Sequence, residues 1–175
     1  MTMMIANKIV ENGHFPKKEN KYIVDTNILI YSYGDGSAKQ KNTKKENLSI
    51  VLANVLDIGC DVFIPCTVVS EFINVYHRNY FNKYKKKYNW QDYKKDYRNS
   101  QNFIDNNKFI YNTLINNIFD RCKLISDGFA DASIEKLMSI DSNQDFNDNV
   151  IINIANTNDL YIISDDIDTK KIQIK

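Results

Sequence analysis

Tyr22-Ile23-Val24-Asp25-Thr26-Asn27-Ile28-Leu29-Ile30 decides how this chain is read. A short apolar run of β type ends on an acid, and a second apolar segment follows at once. Asp and Asn are favoured helix caps, so the stretch reads as a strand, a carboxylate at its end, and a helical or buried segment through Tyr31. Three later segments repeat the theme of an acid past an apolar run or at a helix start: Val69-Ser70-Glu71, Asp148-Asn149-Val150-Ile151-Ile152, and Leu160-Tyr161-Ile162-Ile163-Ser164-Asp165-Asp166.

Between these points strands and helices alternate. Leu48, Val51, Leu52, Val55 and Leu56 follow a 3.6-residue period over residues 44–58, and Gly59 is a left-handed helix stop. Asp61–Pro65 reads as a second strand ended by proline. Thr67 is the expected N-cap of the next helix, which puts Ser70 and Glu71 in its first turn, where the helix dipole favours an acid. A helix is expected over 102–120 with Phe103, Phe109, Ile110, Leu114, Ile115 and Ile118 buried. A third strand follows at Lys123–Ser126, helices at 130–140 and 148–156, and a fourth strand at Leu160–Ile163. Such alternation predicts an α/β fold with a central parallel sheet between two helical layers. Residues 1–20 read as a polar N-terminal extension and 21–175 as one domain.

In an open parallel sheet, side chains at the carboxyl ends of strands share one crevice. Acids spread over 140 residues therefore converge there, and clustered carboxylates repel unless a divalent cation holds them. An all-oxygen donor set suits Mg2+ or Mn2+ and the cleavage of phosphodiesters. Taken singly, each acid also has a simpler explanation: Asp25 and Asp148 as caps, Glu71 as a dipole residue, Asp166 as a turn residue.

Composition is permissive. The chain has 175 residues, 43% hydrophobic, and a net charge of +1, enough for one domain with a core. The charge is unevenly spread: Tyr76 to Arg98 holds eight Lys/Arg against Asp92 and Asp96. This basic helical insert around 77–100 interleaves lysines with aromatics, a pattern that suits unpaired RNA. Arg78, Lys83, Lys85, Lys86 and Lys87 are its candidate contacts. The alternative is a stripe of Tyr80, Tyr84 and Tyr88 that packs inward while the lysines stay solvated. Cys60, Cys66 and Cys122 form no spaced set and read as reduced thiols of a cytoplasmic protein. No segment is apolar enough for export or for a membrane span. His14 and His77 fit no nucleophile or metal spacing.

Val24-Asp25-Thr26-Asn27-Ile28-Leu29-Ile30 resembles the opening motif of PIN-domain ribonucleases. Ser70-Glu71-Phe72, Asp148 to Ala155 and Ile163-Ser164-Asp165-Asp166-Ile167-Asp168 are similar to that family's later acidic sites, in the same order. The likeness spans residues 22–168, and size and layout resemble the VapC-like toxins of type II toxin–antitoxin pairs. It implies a metal-dependent endoribonuclease with Asp25, Glu71, Asp148 and Asp166 on the metal, Ser164 supporting the cluster and Asn27 orienting carboxylates. Asp165, Asp166 and Asp168 compete for the fourth role; strand alternation favours Asp166, leaving Asp168 a helper. Asp145, three residues before Asp148, competes for the third. The resemblance also implies a small antitoxin and a homodimer. Two rivals remain: a PIN-like RNA-binding module without catalysis, and an aspartyl phosphohydrolase. The latter is disfavoured because Asn27 stands where its second acid is needed.

Overall fold

A computed structural model of the chain describes residues 9–10, 14–34, 43–138 and 145–165. Lys21–Val24 forms β1, Asp61–Pro65 β2, Lys123–Ile125 β3 and Tyr161–Ile163 β4. They build one parallel sheet in the order β3-β2-β1-β4. β1 is central and its last three residues are fully buried, as an unbroken apolar run in a parallel sheet should be.

Helices fill the crossovers. α1 (Thr26–Tyr33) and α2 (Thr43–Ile58) lead from β1 to β2, and α3 (Cys66–Tyr84) and α4 (Gln101–Thr113) lead from β2 to β3. The short α5 (Ile134–Leu137) and α6 (Phe146–Asn158) return the chain to β4 on the other side of β1. Since crossovers are right-handed, reversing direction puts the last pair on the opposite face. The arrangement is compatible with a three-layer α/β/α fold. The core joins the strands to Ile28, Leu29, Leu52, Val55, Phe72, Ile118, Ile151 and Ile154. Gly59 ends α2 with φ of 81°, a conformation glycine adopts without the Cβ penalty.

Several elements depart from the sequence expectation. The 1–20 segment is not wholly a polar extension: Ile9 bridges Ile162, and the buried Val10 donates its N–H to the Ile162 carbonyl at 2.8 Å. Two apolar residues thus extend the pairing along β4. The 130–140 helix is broken into a 3-10 turn at Phe129–Asp131 and one turn of α5, after Gly128 at φ 61°; residues 139 and 140 lie outside the described residues. α4 and the turn after it bury Asn106, Ile110, Thr113, Leu114 and Ile118, but Phe109 and Ile115 are 45% and 43% exposed. The π-helical turn at Leu114–Ile118 shifts the register of the buried stripe there.

The basic insert is a helical hairpin tip with its own core. α3 stops at Tyr84, so Tyr88 lies in the following turn rather than on the helix. Tyr97, in a π-helical turn at Tyr93–Tyr97, is fully buried. Around it lie Phe81 (6.0 Å between ring centroids), Trp90 (5.0 Å), Phe103 (5.4 Å) and His77 (5.8 Å). Tyr80 and Tyr84 pack on each other, 4.5 Å between ring centroids, whereas Tyr88 stays exposed, so the inward-packing stripe holds for the first two and not for the third.

Candidate active site

The strand order turns back between β1 and β4, and ligands of open α/β sheets bind at such a reversal. Asp25 follows β1 directly, and its N–H donates to the Ile163 carbonyl at 3.0 Å. The residue is 5% exposed. It stands at the N-cap of α1, yet its carboxylate makes no capping bond. Instead Ser164, just past β4 and equally buried, donates its hydroxyl to Asp25 Oδ2 at 2.8 Å. The carboxylate therefore ties two strand ends together, which a helix cap does not require.

The second acid is tied to the same place. Thr26 donates its hydroxyl to Glu71 Oε2 at 3.1 Å, and Asn147 donates its side-chain amide to that same oxygen at 3.1 Å. Asn147 stands next to Asp148 in the first turn of α6. Four segments far apart in sequence, around residues 25, 71, 147 and 164, are thus connected by three hydrogen bonds. Tyr31 of α1 donates its hydroxyl to Asp165 Oδ2 at 2.8 Å.

Some expected placements change. α3 begins at Cys66 directly after Pro65, so Thr67 is not its cap, and Glu71 lies in the second turn rather than the first. The dipole explanation of Glu71 loses its basis there, because that effect fades beyond the first turn. α6 begins two residues earlier than expected, with Asp145 as its N-cap. Asp145 accepts from the Asp148 N–H at 3.0 Å, while Asp148 Oδ2 accepts from the Asp145 N–H at 3.3 Å. Asp148 is thereby half of a capping box, and Asp145 is the other half. Asn27 is half-buried in the first turn of α1. Asp166 and Asp168 lie outside the described residues. β4 ends at Ile163 and Asp165 sits in a bend, so strand alternation does not place Asp165.

The donors gathered here are carboxylate, hydroxyl and amide oxygens, a set that fits a hard divalent cation in kind. Among the described residues, however, no three His, Cys, Asp or Glu side chains are grouped to hold a metal ion. Burial pushes the Cys60 thiol up, and that of Cys122 up to about 11. His77 is 3% exposed and engaged with Tyr97 and Asn107. His14 is held at 2.9 Å from the Tyr22 hydroxyl.

A cleft of about 440 Å3 lies apart from these carboxylates, between His14–Pro16 and the α2 residues Ile50, Asn54, Asp57 and Ile58. It sits where α2 runs into β2, toward the amino ends of the strands. The candidate site is the β1–β4 crevice, where hydrogen bonds from Ser164, Thr26 and Asn147 hold Asp25 and Glu71.

Thr26, Asn147 and Tyr31 carried no sequence signal for these roles. Each acts by a hydrogen bond to an acid at least 45 positions away, which no local period encodes. No family model matches the chain, and neither does any curated protein or solved structure.

Proposed function

We propose that the protein is a metal-dependent endoribonuclease of PIN-like fold acting through Asp25, Glu71, Asp148 and Asp166. The observation that carries the reading is the set of bonds Ser164–Asp25, Thr26–Glu71 and Asn147–Glu71 at the sheet's point of reversal. Asp25, Glu71 and Asp148 would hold Mg2+ or Mn2+, with Asp166 as a fourth ligand. When bound, such an ion polarises the scissile phosphate and lowers the pKa of an attacking water. Ser164 keeps the buried Asp25 carboxylate in one orientation. Thr26 and Asn147 hold Glu71 by a single oxygen, and Glu71 is our choice of base for the water's proton.

Restraint by a small antitoxin, and pairing into a homodimer, belong to the same proposal. In their favour, Ile104, Tyr111 and Ile115 lie 49%, 64% and 43% exposed at helical spacing along α4 and the turn after it. Apolar stripes of this kind are commonly covered by a partner.

The test is cleavage of a labelled mixed RNA pool with Mn2+, with Mg2+ and with EDTA, using the wild type and Asp25→Asn. Cutting that needs metal and disappears in the variant is expected. Undiminished cutting in EDTA or by Asp25→Asn overturns the proposal. One observation favours a second reading, an RNA-binding module without catalysis: the described residues supply no three-ligand group. RNA binding without cutting under every metal condition would select it.

A further inference from the structure

The hairpin tip between α3 and α4 carries seven cations from Lys83 to Arg98, against only Asp92 and Asp96. Both acids are already engaged by backbone. Asp92 Oδ1 accepts the N–H groups of Lys94 and Lys95 at 2.8 and 2.7 Å, and Asp96 Oδ2 accepts those of Gln91 and Asp92 at 2.7 and 2.8 Å. The backbone amides of Asp92 and Gln91 hold the Asp96 carboxyl below its usual range. The acids therefore fix the turn, and Lys95 adds to the pull that holds the Asp96 carboxyl down. Among the described residues, no carboxylate lies within ion-pair reach of Lys85, Lys86, Lys87, Lys94, Lys95 or Arg98.

The cations also sit on ring faces. Lys87 lies 5.2 Å from the Tyr88 centroid and 5.9 Å from that of Tyr84, Lys85 5.8 Å from Phe81, and Arg98 5.7 Å from Tyr93. Below them Trp90 and Tyr97 are buried, so the rings rest on a packed base. Tyr88 remains 38% exposed. Cations that neutralise phosphates, set beside an accessible ring on which a base can stack, fit an unpaired strand. An acidic polypeptide would answer only the charge.

We infer that this tip, through Lys85, Lys86, Lys87, Lys94 and Lys95 with Tyr88, is a docking site for single-stranded nucleic acid. It is separate from the carboxylate crevice, since Tyr84 stands about 20 Å along α3 from Glu71 at 1.5 Å of rise per residue. Binding here is independent of whether the crevice cleaves RNA.

The experiment is fluorescence anisotropy with a labelled single-stranded RNA oligonucleotide, and DNA of the same sequence, in EDTA over a salt series. Three proteins are compared: the wild type, Lys85→Ala/Lys86→Ala/Lys87→Ala, and a control carrying Lys17→Ala/Lys18→Ala/Lys21→Ala. Both sets of lysines are exposed, and thermal melts check that each variant folds. The tip variant is expected to lose roughly tenfold or more in affinity, and its log–log salt slope to flatten by about 2, at about 0.7 per phosphate contact. The control is expected to bind as the wild type does. No binding by the wild type, or equal losses in both variants, overturns the inference. So does polyglutamate that displaces the RNA as well as unlabelled RNA does, because the tip would then recognise acidic chains at large. Tighter binding of RNA than of DNA would assign the source to RNA, and equal binding to either strand; both uphold the site.

Discussion

Replacing Ser164 with Ala tests the site where its geometry is most specific. The Ser164 hydroxyl donates to Asp25 Oδ2 at 2.8 Å, and both residues are 5% exposed. A hydrogen bond to a charged group contributes about 1.5–3 kcal/mol, and a neutral one nearer 1. Water cannot readily take the hydroxyl's place at that burial, so Ser164→Ala is expected to destabilise the fold by about 1.5–3 kcal/mol. For a domain of this length each kcal/mol moves Tm by about 2–4 °C. Urea unfolding followed by circular dichroism measures the difference, with the slope on denaturant unchanged. Repeating the substitution in Asp25→Asn separates charge from contact, because the amide oxygen still accepts the hydroxyl. The loss there is expected to fall to about 1 kcal/mol. A loss under about 0.5 kcal/mol in the wild-type background, or the same loss in both, would refute a charge-assisted tie between the ends of β1 and β4.

Asn147→Ala removes one of two donors to Glu71 Oε2; cleavage is expected to fall about 10–100-fold and to need more Mn2+, since groups that orient metal ligands act through affinity. Unchanged metal dependence would leave Asn147 a purely structural residue. Stability should also depend on pH through His77, whose pKa is lowered by burial and by the nearby Arg98, with the bond to Asn107 opposing. Asn106 donates to the Tyr97 hydroxyl (2.9 Å) and His77 Nε2 faces Asn107 Oδ1 (3.0 Å), so the Tyr97 O–H donates to a neutral Nδ1 at 2.7 Å. The unfolded chain takes up this proton near pH 6.5 and the folded one at lower pH. The contribution is therefore present above about 6.5 and lost as pH falls below it, at no more than about 1.4 kcal/mol per pH unit for one proton. Urea midpoints from pH 7.5 to 5, against His77→Gln, should show a loss that is steeper in the wild type.

The sheet was legible because its strands are short apolar runs, three of them opened by a charged residue (Lys21, Asp61, Lys123), and Asp25, Gly59, Pro65 and Ser164 stop strands or helices for local reasons. Periodicity failed where the backbone left the 3.6-residue repeat. The π-helical turn at Leu114–Ile118 turned Ile115 outward, and extended backbone at Ala132 and Ser133 divided the helix expected over 130–140. In the candidate site the strand-end positions of Asp25 and Ser164 were readable, since a parallel sheet sends its carboxyl ends to one edge. The partners of Glu71 were not. Thr26 and Asn147 find it through tertiary packing, and their own neighbourhoods in sequence resemble any helix start.

The acids do not support a metal site equally. A capping Asp spends its carboxylate on nearby backbone N–H groups, and Asp25 does not; its oxygen faces a hydroxyl from 139 positions away. Burying a carboxylate at 5% exposure costs folding energy unless it is compensated. The bond from Ser164 offsets part of that cost and holds the carboxylate between the ends of β1 and β4. Glu71 is intermediate: too far into α3 for the dipole, and held by two neutral donors on one oxygen. Asp148 is the reverse case, because its capping-box bond with Asp145 already accounts for an acid at that place. Substitution there disturbs the start of α6 as well as any metal it holds, and Asp25→Asn is therefore the cleaner probe of catalysis.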